Sequence, residues 1–360
     1  MPMSTETATA DDNDATSRFA GAVDWAVAAK AGARLARPGP ATSRYTAAAA
    51  VEELAAASLR AEGPVRETTG LADGLPVPDA QVVDRAGWIA AAAASMKHLT
   101  GDENEAPPSG LLGGKPAGLQ AGAMLAFLSS AILGQYDPFT GESGTLLLVA
   151  PNVIAVERAL RVSPSDFRLW VCLHEVTHRV QFSSAPWLGQ YMRDNVGLLS
   201  DGTDEPMSDV LTRLSGALKA RKNPGGSAED AGIIGLLRAT QPEPQRQAID
   251  RLLVLGTLLE GHADHVMDAV GPAVVPSVVQ IRRAFDRRRQ RKVNPVQRVV
   301  RTLLGMDAKM AQYVRGKAFV DHVVGSVGME RFNTVWTGPD TLPLLSEIED
   351  PDAWVARVLG

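Results

Sequence analysis

The stretch LWVCLHEVTHRVQF, from Leu169 to Phe182, contains the motif H-E-x-x-H in a segment with a helical start signal. Upstream, Ser163 occupies a favoured N-cap position and Pro164 the first helical position, while Asp166 follows three residues after the serine. This pattern predicts a helix that begins at Pro164 with a capping box between Ser163 and Asp166. The motif then lies about three turns into the helix, away from a frayed end.

The two histidines of the motif, His174 and His178, can bind one metal ion because residues four apart share a helix face. Glu175 follows about 100° round the helix from His174, so it lies beside the ion rather than on it. There it can take a proton from a metal-activated water. The motif predicts a catalytic zinc site with Glu175 as general base. The alternative is a pair of surface histidines on an amphipathic helix.

A catalytic zinc ion takes three protein ligands and leaves one position open. We expect the third ligand in the segment LLEGHADHVMD, from Leu258 to Asp268, which holds two more of the six histidines. We favour Glu260, with Asp264 one turn later on the same face as the acceptor that orients His174. The segment leaves three alternative third ligands, namely Asp264 itself, His262 and His265.

The rest of the chain predicts a mainly helical protein of the α+β class. Two alanine-rich segments before residue 100 have helical patterns. Further helices are expected over residues 187–199, 206–220 and 246–270. The segment 135–150 has a turn-like centre and an apolar end, which predicts a hairpin or sheet edge packed on the motif helix. An edge strand over 145–150 would hold an extended peptide by backbone pairing.

Composition divides the 360 residues into three parts. Residues 1–18 are acidic and contain no lysine or arginine before Arg18, which predicts a disordered tail rather than a signal peptide. Residues 19–105 are predicted to form a helical N-terminal region that ends in a linker rich in proline, glycine and charge. Residues 106–360 are predicted to form the metal-binding domain.

Charge and cysteine content indicate a cytoplasmic protein. The net charge of −5 gives no general attraction to nucleic acid or membrane, so neither partner is expected. The single cysteine, Cys172, excludes a disulfide within the chain and fits the core better than the metal site. The uncharged segment Pro116–Tyr136 has enough glycine, proline, glutamine and serine to predict a buried helix rather than a membrane span. The sequence carries no indication of the oligomeric state.

A basic run, RRAFDRRRQRK from Arg282 to Lys292, could bind an anionic partner. Few aromatic residues interrupt it, and the chain as a whole is acidic. A solvated helix or loop is therefore the expected structure of this run.

Several sequence blocks resemble the type-2 zincin-like metallopeptidases, a family with H-E-x-x-H followed by E-x-x-x-D. Together they span most of the chain after about residue 20. The blocks are GQYDPF, LLLVAPN, DFRLWVCLHEVTHRVQF, PWL, LLEGHADHVMD, KMAQYVRGKAFV and the final LP…EI-DP-AW pattern. The resemblance implies a zincin-like core with one zinc ion per chain and a large helical remainder. Members are also loosely labelled as associated with the biosynthesis of a deazaflavin coenzyme.

The expected function is zinc-dependent hydrolysis of peptide bonds in a peptide or protein substrate, with Glu175 as base. The developing oxyanion needs a further donor, for which Tyr313 is the first candidate. Other candidates are Tyr191, Arg315 and His322. Two alternatives are a catalytically silent scaffold or regulatory protein that uses the basic run, and a zinc hydrolase of a non-peptide amide.

Overall fold

The computed structural model describes residues 23–100, 114–141, 143–200, 241–290 and 306–360, which form a mainly helical molecule with one small sheet, as predicted. The helices are α1 (Trp25–Leu35), α2 (Arg44–Thr69), α3 (Arg85–Leu99), α4 (Lys115–Leu128), α5 (Ala150–Leu160), α6 (Pro164–Ser184), α7 (Trp187–Ser200), α8 (Glu243–Val274), α9 (Val278–Gln290), α10 (Met306–Phe332), α11 (Leu345–Glu349) and α12 (Pro351–Leu359). Short 3₁₀ helices cover Asn333–Trp336 and Pro339–Thr341. The strands are β1 (Gln81–Val83), β2 (Gly134–Asp137) and β3 (Thr145–Val149).

Helix α6, which carries the motif, begins at Pro164 as predicted, but the predicted capping box is wrong. The side chain of Ser163 makes no capping hydrogen bond. Asp166 Oδ2 instead accepts a hydrogen bond of 2.9 Å from the backbone N–H of Ser277, between α8 and α9. The carboxylate therefore joins the start of α6 to a turn that is 111 residues away in sequence.

The apolar side chains of α6 form the centre of one hydrophobic core with α2, α5 and α8. The buried members on α6 are Phe167, Trp170, Val171, Cys172, Leu173, Val176 and Val180. Full burial of each larger side chain contributes about 1.5–3 kcal/mol. Cys172 is a core residue, as predicted, with its Sγ 3.7 Å from the carbonyl oxygen of Leu54, and burial raises the pKa of its thiol.

Two buried arginines on one face of α6 set its rotation against its neighbours. Arg179 Nε donates to Glu62 of α2 at 2.7 Å. Arg168 Nη2 pairs with Glu157 of α5 at 2.8 Å, and Nη1 of the same arginine pairs with Glu53 of α2. Because a broken pair would leave a buried charge without a partner, other rotations of α6 are strongly disfavoured. The motif histidines consequently face α8.

The sheet has the order β1-β3-β2, with β1 parallel and β2 antiparallel to β3. Strands β2 and β3 form the predicted hairpin. The prediction of a peptide-binding edge over residues 145–150 is wrong, because β3 is the central strand and both of its sides are hydrogen-bonded. Its last residue, Ala150, already belongs to α5. Strand β2 forms the sheet edge that packs on α6.

Helix α8 approaches α10 closely at the level of the predicted third ligand. A Cβ atom on Gly261 would overlap the backbone of Gly316 in α10, so the two helices meet without an intervening side chain. Because Gly261 follows Glu260, this contact fixes the height and rotation of α8 where it faces α6.

Helices α7 and α8 confirm the predicted helices over 187–199 and 246–270. The predicted tail over residues 1–18 and the predicted helix over 206–220 lie outside the described residues. The same holds for the boundary near residue 105, so the division into domains stays a prediction. Within the described ranges, no helix is both long and apolar enough to cross a membrane, and α4 covers 14 residues.

Candidate metal centre

The side chains of His174, His178 and Glu260 meet between α6 and α8. His174 Nε2 lies 3.1 Å from Glu260 Oε2 and 3.2 Å from His178 Nε2. His178 Nε2 lies 3.8 Å from the same carboxylate oxygen. Within the part of the chain that the structure describes, this is the group of three such side chains able to hold one ion. The structure brings together the three predicted ligands, although Glu260 lies 82 residues after His178 in sequence.

The spacing of these three atoms fits a zinc ion. Zinc–nitrogen and zinc–oxygen bonds of about 2.0–2.2 Å in a tetrahedron place neighbouring ligand atoms about 3.3–3.6 Å apart. The three measured separations, from 3.1 to 3.8 Å, bracket that range. Two imidazole nitrogens and one carboxylate oxygen are also a common ligand set of catalytic zinc sites.

The electrostatics of the centre favour a bound cation. Burial alone would lower the pKa of His174, but the hydrogen bond and charge of Glu260 outweigh it and raise the pKa to about 9. Burial alone would raise the pKa of Glu260, but the neighbouring His174 and His178 hold it well below its usual range. Both shifts show a half-buried carboxylate that is stabilised by a positive charge beside it, and a zinc ion would supply that charge in place of the proton.

Glu175 lies next to the ligands on the side of α6 that faces β2. A Cβ atom on Gly134 of β2 would lie 2.6 Å from Glu175 Cγ, so only glycine leaves room for this side chain. Burial raises the pKa of Glu175, and the neighbouring His174 and His178 partly oppose the rise. A carboxylate with a raised pKa suits a general base that must accept a proton and later return it.

A glutamine that the sequence interpretation missed holds the second nitrogen of His178. Gln181 Oε1 lies 2.9 Å from His178 Nδ1. The amide nitrogen of Gln181 donates to the carbonyl oxygen of Leu259 at 3.0 Å and lies 3.0 Å from His262 Nδ1. Helical spacing is the signal that could have found it, because a residue three positions after His178 lies on the same face.

The two alternative histidines of α8 are engaged elsewhere. The ring of His262 is fully buried, with its centroid 5.4 Å from that of Phe332 and 5.3 Å from that of Trp336, and burial lowers its pKa to about 3. His265 Nδ1 lies 2.7 Å from the carboxylate of Asp321 in α10. These placements favour Glu260 as the third ligand.

Asp264 faces Arg282, the first residue of the basic run, rather than His174. Its Oδ1 accepts a hydrogen bond of 3.1 Å from Arg282, whose guanidinium also lies 5.3 Å from the ring centroid of Trp170. His174 Nδ1 lies 3.2 Å from the sulfur of Met267. In the described ranges no hydrogen bond joins Asp264 to His174, although the charge of Asp264 helps to raise the pKa of that histidine. The role of Asp264 as its acceptor stays a prediction.

The candidate oxyanion donors whose side chains are described contact groups other than the three ligands. The side chain of Tyr313 lies outside the described residues, so its catalytic role stays a prediction. Arg315 and His322 lie 3.5 Å and 2.7 Å from carboxylates of the C-terminal segment. Tyr191 packs edge-on against Trp187, with ring centroids 5.7 Å apart.

Comparisons with known proteins place this geometry in context. A family model described as zincin-like metallopeptidase matches residues 23–355. A crystal structure from Chloroflexus aurantiacus, described as a candidate hydrolase with a novel fold, is 30% identical; the match covers 93% of this chain and 98% of that one, with a TM-score of 0.63. No curated protein matches the chain. Neither description mentions a deazaflavin coenzyme, so that association stays a prediction.

Zinc content should separate the three ligands from the neighbouring histidine. Wild type should carry about one zinc ion per chain by elemental mass spectrometry, and His174→Ala and Glu260→Ala should lose most of it, because each removes one of three donors. His265→Ala is the matched control: it keeps zinc because His265 pairs with Asp321. Zinc retained in Glu260→Ala and lost in His265→Ala would move the third ligand.

Zinc binding should also release a proton from His174. The pKa of His174, about 9, exceeds the usual value of 6.5. The ion pair with Glu260 therefore contributes its full stabilisation to the metal-free fold below pH 6.5, and this stabilisation is lost as pH rises through 9. Zinc binds only the deprotonated ring. Calorimetry in buffers of different ionisation enthalpy should therefore show that fewer protons are released per zinc above pH 9 than at pH 7.5. A release that does not fall with pH would contradict this assignment.

Proposed function

The chain belongs to the zincin-like metallopeptidase family, and from that premise we propose that it is a zinc-dependent peptidase. Family membership and the similar structure from Chloroflexus aurantiacus both support a hydrolase. The observation that carries the proposal is the convergence of His174, His178 and Glu260, with the buried Glu175 beside them. Zinc as the metal, Glu175 as the base and a peptide as the substrate are the parts of the proposal that need testing.

In the proposed reaction, His174, His178 and Glu260 would hold the zinc ion. When bound, zinc supplies Lewis-acid polarisation of a carbonyl and lowers the pKa of a water to about 7. Glu175 takes one proton from the attacking water as the new C–O bond forms at the scissile carbonyl. It then delivers that proton to the amide nitrogen as the C–N bond breaks. The products are a carboxylic acid and an amine.

The edge of the sheet beside Glu175 supports an extended peptide as the substrate. The backbone N–H of Val149 donates to the carbonyl of Leu133, so alternate β2 residues, Gly134 and Tyr136, direct their backbone groups away from β3. Among the described residues, no strand pairs with this side of β2. A peptide strand can add here by backbone hydrogen bonds, which would place its carbonyl groups next to Glu175.

Glu175→Gln should abolish hydrolysis without releasing the metal. The amide has nearly the shape of the carboxylate but cannot accept the proton, so kcat should fall by about 10²–10⁴-fold. The zinc content should equal that of wild type, because Glu175 is not one of the converging donors. Cleavage of a mixture of unstructured peptides by the zinc-loaded protein, followed by mass spectrometry, measures the effect.

Wild-type activity in Glu175→Gln would contradict the role of this residue as base. If zinc-loaded wild type cleaves no peptide but hydrolyses simple acyl amides, the substrate class is wrong while the metal chemistry holds. If it binds zinc and hydrolyses neither, the catalytically silent scaffold replaces the peptidase.

Gly134→Ala should impair catalysis by displacing the base rather than by unfolding the protein. The new Cβ would lie 2.6 Å from Glu175 Cγ, and the flexible carboxylate can yield more readily than the strand. A displacement of this kind can lower activity by about 100-fold. Zinc content should be unchanged.

The matched control for this variant is Gly256→Ala, on the helix that carries Glu260. A Cβ there meets no atom within 4 Å, so activity should persist, and stability should rise by about 0.5–1 kcal/mol. Comparable activity in Gly134→Ala and wild type, measured as peptide cleavage, would show that β2 does not confine the base.

A further inference from the structure

Gln181 makes three hydrogen-bonding contacts at the back of the metal centre. The residue is fully buried on α6, three positions after His178. Its amide oxygen lies 2.9 Å from His178 Nδ1, on the side of the ring away from the converging donor atoms. Its amide nitrogen donates to the carbonyl of Leu259 and lies within hydrogen-bonding distance of His262 Nδ1, both on α8.

The carbonyl of Leu259 decides which end of the amide faces which partner. A backbone carbonyl can only accept, so the NH₂ group of Gln181 must face it. The amide oxygen then faces His178, and a ring nitrogen can bond to that oxygen only by donating a proton. His178 is therefore held with its proton on Nδ1. Its Nε2 lone pair points towards His174 and Glu260, where a metal would bind.

Among the described residues, no comparable partner supports the other ligand histidine. His174 Nδ1 lies 3.2 Å from the thioether sulfur of Met267, which is only a weak acceptor. The glutamine also contacts α8 at Leu259, the residue directly before Glu260. Gln181 thus determines the tautomer of His178 and contacts the backbone directly before Glu260.

We propose that Gln181 is a positioning residue of the metal centre, which selects the Nδ1–H tautomer of His178. This inference rests on the proposed function in one respect, namely that His178 is a zinc ligand. The working motif of this chain is then H-E-x-x-H-x-x-Q, from His174 to Gln181. Partners that orient a ligand histidine in this way typically contribute about 10–100-fold to metal affinity.

Two substitutions separate the role in orienting His178 from a role in packing. Gln181→Met keeps the approximate size but removes all three contacts. Gln181→Glu keeps an acceptor for His178 and, when ionised, cannot donate to Leu259. The control is Gln245→Met, a buried glutamine on α8 that lies about 22 Å along the helix from Glu260.

Competition with a chromophoric chelator measures the zinc dissociation constant of each full-length variant. Gln181→Met should bind zinc about 10–100-fold more weakly than wild type. The zinc dissociation constant of Gln181→Glu should be lower than that of wild type or exceed it by no more than about threefold. The control should match wild type. Unchanged affinity in Gln181→Met would overturn the proposal, and so would equal losses in both variants, because packing alone would then explain them. If wild type itself does not bind zinc, the proposed function fails as well.

The tautomer can be tested in the unaltered metal-free protein, which keeps the proposal falsifiable if a variant does not fold. With ¹⁵N-labelled histidine, the neutral ring of His178 should show its proton on Nδ1, and its signals can be assigned by their loss in His178→Asn. In Gln181→Met the same ring should shift towards a mixture of tautomers. A proton on Nε2 in wild type would overturn the assignment.

Discussion

The ion pair between Arg179 and Glu62 fixes the rotation of α6, and the metal centre depends on that rotation. Arg168 lies eleven residues earlier, three turns back on the same face, and its pairs act in the same direction. With this face held against α2, His178 points about 100° away, towards α8, and Glu175 points towards β2. A slip of one residue would direct either Arg179 at the metal centre or His178 at the buried carboxylate of Glu62, depending on the direction of the slip.

Helix α8 carries the complementary half of the centre and lies between two hydrophobic cores. Met267 belongs to the core around α6, whereas Leu259 belongs to the core formed with α10 and the C-terminal segment. Glu260 stands where these cores meet, so its carboxylate is half-buried and is stabilised by a positive partner. In the metal-free protein that partner is the protonated His174. Metal binding and local stability are consequently linked, because both depend on the charge of Glu260.

Features that depend on local sequence patterns could be predicted, whereas contacts between segments distant in sequence could not. The H-E-x-x-H motif and its helical spacing predicted that His174, Glu175 and His178 lie together, and the pairing of acidic residues on a later helix predicted Glu260 beside them. The hydrogen bond of Asp166 to a turn 111 residues away could not be predicted, because a capping box satisfies the same local pattern. The prediction of an edge strand over residues 145–150 failed for a similar reason: the short strand β1 contains three residues and has no pattern that places it beside β3.

The two ligand histidines are held by different physical means, and this difference indicates how the centre accepts a metal. The bond between His178 and Gln181 lies on the far side of the ring, so it can persist unchanged when a metal binds. His174 instead uses its metal-facing nitrogen to bond Glu260, and that proton must leave before both atoms can become ligands. Metal binding therefore requires the loss of one proton from the His174–Glu260 pair, while His178 is already oriented. His178 is held in place by Gln181, and the carboxylate of Glu260 is paired with a protonated His174 until a metal replaces that proton. The centre can therefore be assembled before the metal arrives without leaving this carboxylate unpaired.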